Sequence, residues 1–420
     1  MKLLLISAIC LLFSPIVVSG QTSGCPDPLA LNYNSAAVIN DGSCQYAPAT
    51  VNPLAPDILS DTIMETSGMI WWTGHFWTHN DNTNTSLYAL DSATGQIIQA
   101  VSLPGVTNYD WEEIAQDDDF IYVGDFGNNG NGNRQDMHIL RIAKSGVNTA
   151  PQIDTIWFHY EDQTNFTPTG ANNTDFDCEA FIATDDSIYL FTKQWIGKKT
   201  AMYSLPKLPG SYAAKLRGVL DVQGMITGAA PVAGKRTIAL CGYSLSGSML
   251  LPFVYLLYDY PPNRYFSGNK RKIGINAPMH QVEAIASANG TSFYITNEKI
   301  SVSLLTISPK LQRLNLSSFL SGYYQTLSAS KPLWTNETVT IYPNPTEGNL
   351  SVRIPAKKAM QIRLKLTDQR GSALIETGKA LTAGMNTVML ELPELPDGIY
   401  WLSISGNGAS LKKKVLYKRK

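Results

Sequence analysis

The 420-residue chain is poor in charge, with 16% Asp, Glu, Lys and Arg, and holds only five cysteines and five histidines. With 44% hydrophobic and 10% aromatic residues, this composition excludes a disordered chain and allows two or three domains with real cores. His75, His79, His138, His159 and His280 show no HExxH spacing, so zinc-hydrolase chemistry lacks its ligands. No Gly-x-Ser-x-Gly elbow is present, and GNNGNGNR, residues 127–134, lacks the spacing and the Lys-Ser/Thr of a phosphate-binding loop. After residue 20 no run is long and apolar enough to cross a bilayer. Basic character is also missing from the body: residues 331–420 hold 14 Lys+Arg against 7 Asp+Glu, which leaves 19 against 27 for residues 1–330. An acidic body argues against a nucleic-acid partner, because phosphate neutralisation needs a basic face. It suits a cation.

What is present begins with Lys2, the run LLLISAICLLFSPIVV, and then Ser19 and Gly20 before Gln21. Charged, apolar and small residues in that order predict a secretory signal peptide over residues 1–20. Cys10 lies within it, leaving Cys25, Cys44, Cys178 and Cys241. In an exported chain Cys25 and Cys44 are expected to form a disulfide that closes a short loop. Cys178 and Cys241 stand in the strand-like contexts DCEAFI and IALCGY; they read as buried thiols, with a second bridge left open.

Residues 21–49 are rich in Asn, Asp, Gly and Pro and show no apolar period, which predicts a stapled loop. GCPDPLALNYNSAAVINDGSC resembles a cysteine-flanked repeat of secreted Bacteroidetes proteins, itself similar to thrombospondin type 3 calcium repeats. The resemblance implies Asp27, Asn32, Asn34 and Asp41 as a second possible set of calcium ligands, hard oxygens of the kind Ca²⁺ takes. This chain has Asn40-Asp41 where the repeat has two acids, so a loop held by the disulfide alone stands beside the calcium loop.

Residues 50–330 carry short, aromatic, β-branched runs bounded by Gly, Asn, Asp and Pro, an all-β pattern. Five segments repeat it, opening at Ser67, Glu112, Glu179, Thr227 or Gly228, and Glu283. From Ser67, Glu112 and Glu179 the pairs Phe76-Trp77, Ile121-Tyr122 and Ile188-Tyr189 lie 9 and 10 residues on; from Glu283 the pair Phe293-Tyr294 lies one further. Starts at 67, 112, 179, 228 and 283 are 45, 67, 49 and 55 residues apart, near the ~40–50 of a four-stranded propeller blade. Third strands are expected at SLYAL, MHILRI, AMYSL, FVYLLYDY and SVSLLTI, and PLAPDILS, residues 53–60, is expected to complete the last blade. This predicts a five-bladed, alternatively six-bladed, β-propeller.

First strands of a propeller line its channel, so Ser67, Glu112, Glu179 and Glu283 are expected to converge. Three carboxylates in one channel raise one another's pKa. Either they cap backbone amides across the channel or a divalent cation sits among them, and oxygen-only ligands favour Ca²⁺. The order SG, WE, EA, EAI is similar to the five-bladed calcium-activated apyrases, and WTHND, DWEEIA, YVGDFGNN and VEAIA resemble bacterial propellers loosely related to esterase-like phytases. The resemblance implies an axial calcium. Asp110 and Asp177 read as turn or supporting residues. Asp81, Asp125, Lys193 and Glu298, at second-strand ends, are candidate acid, base or phosphate contacts for a hydrolase.

Residues 331–336 read as a linker, and residues 337–420 alternate as strands with turns, a small C-terminal β-sandwich. YPNPTEGNLSV, DGIYWLSI and KKKVLYK resemble the C-terminal sorting domain of the Bacteroidetes type IX secretion system, through Tyr342, Pro343, Asn344, Pro345, Gly348, Gly398, Tyr400 and Lys412 to Lys414. The resemblance implies the type IX machinery as partner and an extracellular or cell-surface location reached through the periplasm. The functional expectation is a secreted binding or structural propeller with an axial calcium and an unidentified extracellular ligand. A calcium-dependent phosphoester or ester hydrolase is the alternative.

Overall fold

The computed structural model describes residues 22–302, 305–329, 334–356, 359–369, 371–406 and 409–419. The predicted signal peptide and part of the predicted linker lie outside them. Strands dominate, and no helix among the described residues is long and apolar enough to cross a membrane.

Two four-stranded sheets, one five-stranded sheet and one eight-stranded sheet form the body; the eight-stranded one is two antiparallel four-stranded units joined edge to edge, and the five units run first to fifth in chain order. Their innermost strands are Thr66–Trp72, Trp111–Gln116, Asp177–Ala183, Met225–Val232 and Val282–Ser287. Each adjoins the next, and the fifth returns to the first, so the fold is propeller-like around a central channel. Small and apolar residues such as Ala115, Ala180, Ala229 and Ala284 let these strands approach closely, and all four are buried. Second strands turn back after short polar turns, as the repeats predict. Phe76, Ile121 and Ile188, spaced alike in the sequence, and Phe293, one residue further on, are each fully buried.

The fifth sheet closes the ring with chain from both ends. Leu54–Ile58 pairs antiparallel with Lys310–Asn315, so residues ahead of the first repeat supply the outer strand of the last sheet. The third strand of that sheet is Lys310–Asn315, not SVSLLTI: residues of that segment form the small hairpin Ile300–Val302 with Leu305–Ile307. Leu311 and Leu314 pack inward, and Gln312 donates to Asn297 Oδ1 at 3.1 Å, which satisfies the polar residue between them. A helix, Ser317–Ala329, follows and buries Leu320 and Tyr324 against the fourth and fifth sheets. The outer strands Ile153–Tyr160 and Gly210–Leu220 pair in parallel and join the second and third sheets edge to edge.

Cys25 and Cys44 are bonded, and Cys178 and Cys241 are free and buried. The stapled loop docks on the fourth sheet: Asn40 donates to Asp259 Oδ2 at 2.9 Å and to Asn269 Oδ1 at 2.8 Å. Residues 334–417 enclose a separate core in which Leu350, Val352 and Ile354 meet Leu364, Leu402 and Val415. Its strands lie in one three-stranded and one four-stranded sheet.

Candidate metal centre

At one position in every innermost strand the pairing skips a residue. The extra residues are Gly68, Glu112, Glu179, Thr227 and Glu283. A β-bulge twists its strand and re-aims a side chain, so five bulges at one level of the ring gather side chains at the same end of the channel. Three of the predicted residues, Glu112, Glu179 and Glu283, occupy these bulges. In the first strand the bulge is Gly68, with φ of 62°, and Ser67 beside it donates to the Glu112 carbonyl at 2.6 Å. Ser67 therefore bridges the first and second innermost strands. Thr227 does the same, donating to the Val282 carbonyl at 2.6 Å.

Glu112 meets two acids from loop ends. Asp81 follows the second strand of the first sheet, Asp110 precedes the innermost strand of the second, and one ligand oxygen from each of Asp81, Asp110 and Glu112 lies within 4.8 Å of the others. Asp81 and Asp110 are half-buried and Glu112 is buried, so the group sits at a mouth open on one side. Gly127 crosses directly over it; a Cβ there would run into the Glu112 and Asp110 carboxylates. From the sequence Asp81 is a candidate acid, base or phosphate contact and Asp110 a turn or supporting residue. Their recurrence after second strands and two residues before a Glu is the signal that could have joined them.

The electrostatics are lopsided. Burial, then Asp110 and Glu283, push Asp81 up to about 8. Burial and Asp177 push Asp110 up to about 6. Glu112 is raised well above the ordinary carboxylate range by burial and Glu179. Lys193 and Arg134 are the nearby cations, and both are spent: Lys193 Nζ donates to Glu179 Oε1 at 2.9 Å, and Arg134 Nη2 to Asp125 Oδ1 at 2.7 Å. The Lys193 ammonium also faces the Trp195 ring, 4.8 Å from its centroid. Among the described residues Glu112 Oε1 is buried without a hydrogen-bond partner, and the buried Glu283 carboxylate has only Gln281 and Thr227 close by, neither at good hydrogen-bond geometry. Such groups are costly to bury, and an oxygen-ligated cation or added protons would relieve them. The donor set fits Ca²⁺: several carboxylates, no thiolate and no ligating histidine. His79 is buried edge-on to Trp111, and His280 faces the Ala277 carbonyl.

Below the ring Glu113 points across the channel. Its carboxylate accepts from Ile114 N at 3.0 Å and from Ala229 N at 2.7 Å, and the Met69 amide also reaches it. Asp177 accepts from Asn128 N at 2.6 Å and Trp195 Nε1 at 2.7 Å. Glu298 accepts from Gln281 Nε2 at 2.8 Å.

The Asn and Asp residues of the N-terminal loop serve separate contacts. Asp27 Oδ2 accepts from the Tyr46 and Tyr258 hydroxyls at 2.7 and 2.6 Å, which docks the loop. Asn32 bonds Ser43 O and Gln45 N, Asn34 Oδ1 accepts from Ala36 N, and Asp41 Oδ1 accepts from Ser43 N.

In the C-terminal part Asn344 behaves like an extra strand residue. Its Nδ2 donates to Lys414 O at 2.9 Å and its Oδ1 accepts from Leu416 N at 2.7 Å, so the YPNP turn is tied to the last strand. Residues 340–418 match the family described as secretion system C-terminal sorting domain. The chain ends in a sorting domain. That domain marks the protein for export by type IX secretion, to the surface or the medium. No curated protein matches the chain. Solved structures that it resembles include Drosophila Plexin A in complex with Semaphorin 1b, at 10% identity and a TM-score of 0.30, with 88% of each chain covered. A GH32 β-fructofuranosidase of Bombyx mori follows at 9% identity and 0.34, again over 88% of each chain. A quinoprotein alcohol dehydrogenase-like protein from Bacteroides thetaiotaomicron stands at 10% and 0.29, over 78% of this chain and 69% of that one. Likenesses this shallow carry nothing about ligand or activity.

Proposed function

We propose that residues 50–330 form a five-bladed β-propeller whose channel mouth holds a calcium ion, and that the exported protein is a binding or structural module stabilised by that ion. The return of the fifth innermost strand to the first supports five blades. The sandwich reading of residues 337–420 has the support of two sheets around one core.

The observation that carries the calcium reading is the convergence of Asp81, Asp110 and Glu112, with Glu112 Oε1 buried and unpartnered among the described residues and the buried Glu283 carboxylate nearby. Asp81, Asp110 and Glu112 would hold the ion, with Glu283 and Glu179 adding negative potential. Calcium would supply charge compensation that the spent Lys193 and Arg134 do not. Binding is favoured over hydrolysis because three of the four candidate catalytic groups are occupied: Asp125 by Arg134, Lys193 by Glu179, and Glu298 by Gln281. A panel of nucleotide, phosphomonoester and carboxylic-ester substrates, run with calcium, tests this choice. The binding reading expects no turnover beyond buffer, and calcium-dependent turnover lost in Asp81→Asn would establish the hydrolase instead.

A further inference from the structure

The channel does not end at Glu113. Beyond it lies a cavity of about 320 Å³, lined by the first, second, fourth and fifth innermost strands and the turns that follow the last two. Met69, Ile114 and Ala229, whose amides or neighbours grip Glu113, form its deep end, and Ala115, Ala230 and Ala286 widen it by their small size. For comparison, an apolar cavity of roughly 150 Å³ already takes benzene, and small-molecule sites begin near 300 Å³.

The polar side chains on its wall are largely spent. Gln116 donates to Trp71 O at 2.7 Å and accepts from Lys144, Ser287 Oγ donates to Ser292 O at 2.7 Å, and Asn289 Oδ1 accepts from Thr291 N and Ser292 N. Lys235 is different. It is the one charged residue lining the cavity, its ammonium lies 5.1 Å from the Tyr324 ring centroid, and it enters no ion pair among the described residues. A cup of mixed polarity, with apolar side chains at its deep end and at its rim one cation that has no ion-pair partner among the described residues, matches an amphipathic anion: apolar body inward, anionic head outward.

We propose that this cavity is a second ligand site, for a small aromatic or branched monocarboxylate whose carboxylate pairs with Lys235. The proposal is independent of the calcium site, which lies on the other side of Glu113.

Calorimetry on the full chain with naphthalene-2-carboxylate, and with 2-naphthalenemethanol as the uncharged control, tests it. The carboxylate is expected to bind about tenfold or more tightly than the alcohol, as a charge-assisted hydrogen bond implies. Lys235→Gln, on an exposed turn, should erase that preference and keep the melting temperature. Ala288→Trp, which fills the rim, should weaken both probes. Absence of binding, equal affinity for the two probes, or a preference that survives Lys235→Gln overturns the assignment.

Discussion

Glu113 of the second sheet accepts the backbone N–H of Ala229 in the fourth sheet at 2.7 Å, a bond that spans the channel. Burial raises this carboxyl well above its ordinary range, against the backbone amides that favour its ionised form. The ring of sheets is thus stapled from within by one side chain. Gly68 makes room for it, since a Cβ there would meet the Glu113 carboxylate and the Ile114 amide.

Removing that staple leaves buried amides unpaired. Glu113→Ala is expected to cost about 1–3 kcal/mol for each of the Ile114, Ala229 and Met69 amides that stays unsatisfied. Urea unfolding measures it; a loss within experimental error would show that the amides find other partners.

The Lys193–Glu179 pair gives a second test. Both side chains are almost fully buried, at 4% and 3% exposure, so each needs the other. Lys193→Met alone should destabilise by about 3–5 kcal/mol, while adding Glu179→Gln should recover part of that loss. A double-mutant cycle on melting temperature reports the coupling, and strict additivity would contradict a functional pair.

Much of this could be read in the sequence, and the misses have physical causes. Glu112, Glu179 and Glu283 were legible because bulge positions repeat with the strands. Ser67 lies one residue before the bulge of its strand, because the extra residue there is Gly68, which has no side chain to align. SVSLLTI outranked KLQRLN as a third strand because its Val, Leu and Ile are overt. The polar Gln312 reads as surface until Asn297 is placed beside it. The helix Ser317–Ala329 was hidden by its Ser and Gly content, which lowers helix propensity while Leu320 and Tyr324 keep the i, i+4 spacing. Glu113 carries no signal in the sequence, because its role is set by strands distant along the chain.

The N-terminal loop should respond to alkaline pH. Burial, then Tyr258, raises the Tyr46 hydroxyl, and burial, then Asp27, raises that of Tyr258. Each folded value lies above the ordinary 10.0, so the neutral hydroxyls contribute stability that is intact below pH 10 and lost as pH rises above it. Limited proteolysis within residues 22–49 is expected to accelerate above pH 10, and Tyr258→Phe should flatten that rise. An unchanged profile in the variant would remove the tyrosine cluster as the cause.

Export should depend on the tie between Asn344 and the last strand. Asn344→Ala loses two hydrogen bonds, worth about 1–3 kcal/mol together, and is expected to lower the surface or medium fraction of the protein without altering the melt of the body. Immunoblots of cell and medium fractions read it, with deletion of residues 337–420 as the export-negative control; wild-type export of Asn344→Ala would separate that contact from sorting.

The most direct measurement is calcium titration of the full chain by calorimetry, alongside thermal melts of the wild type, Asp110→Asn and Gly127→Ala. One calcium per chain, a melting temperature that rises with calcium, and loss of both effects in the two variants are expected, because Asp110 supplies an oxygen and a Cβ at 127 would intrude on it. No heat of binding and no calcium-dependent shift would mean that the acidic mouth is balanced by protons alone.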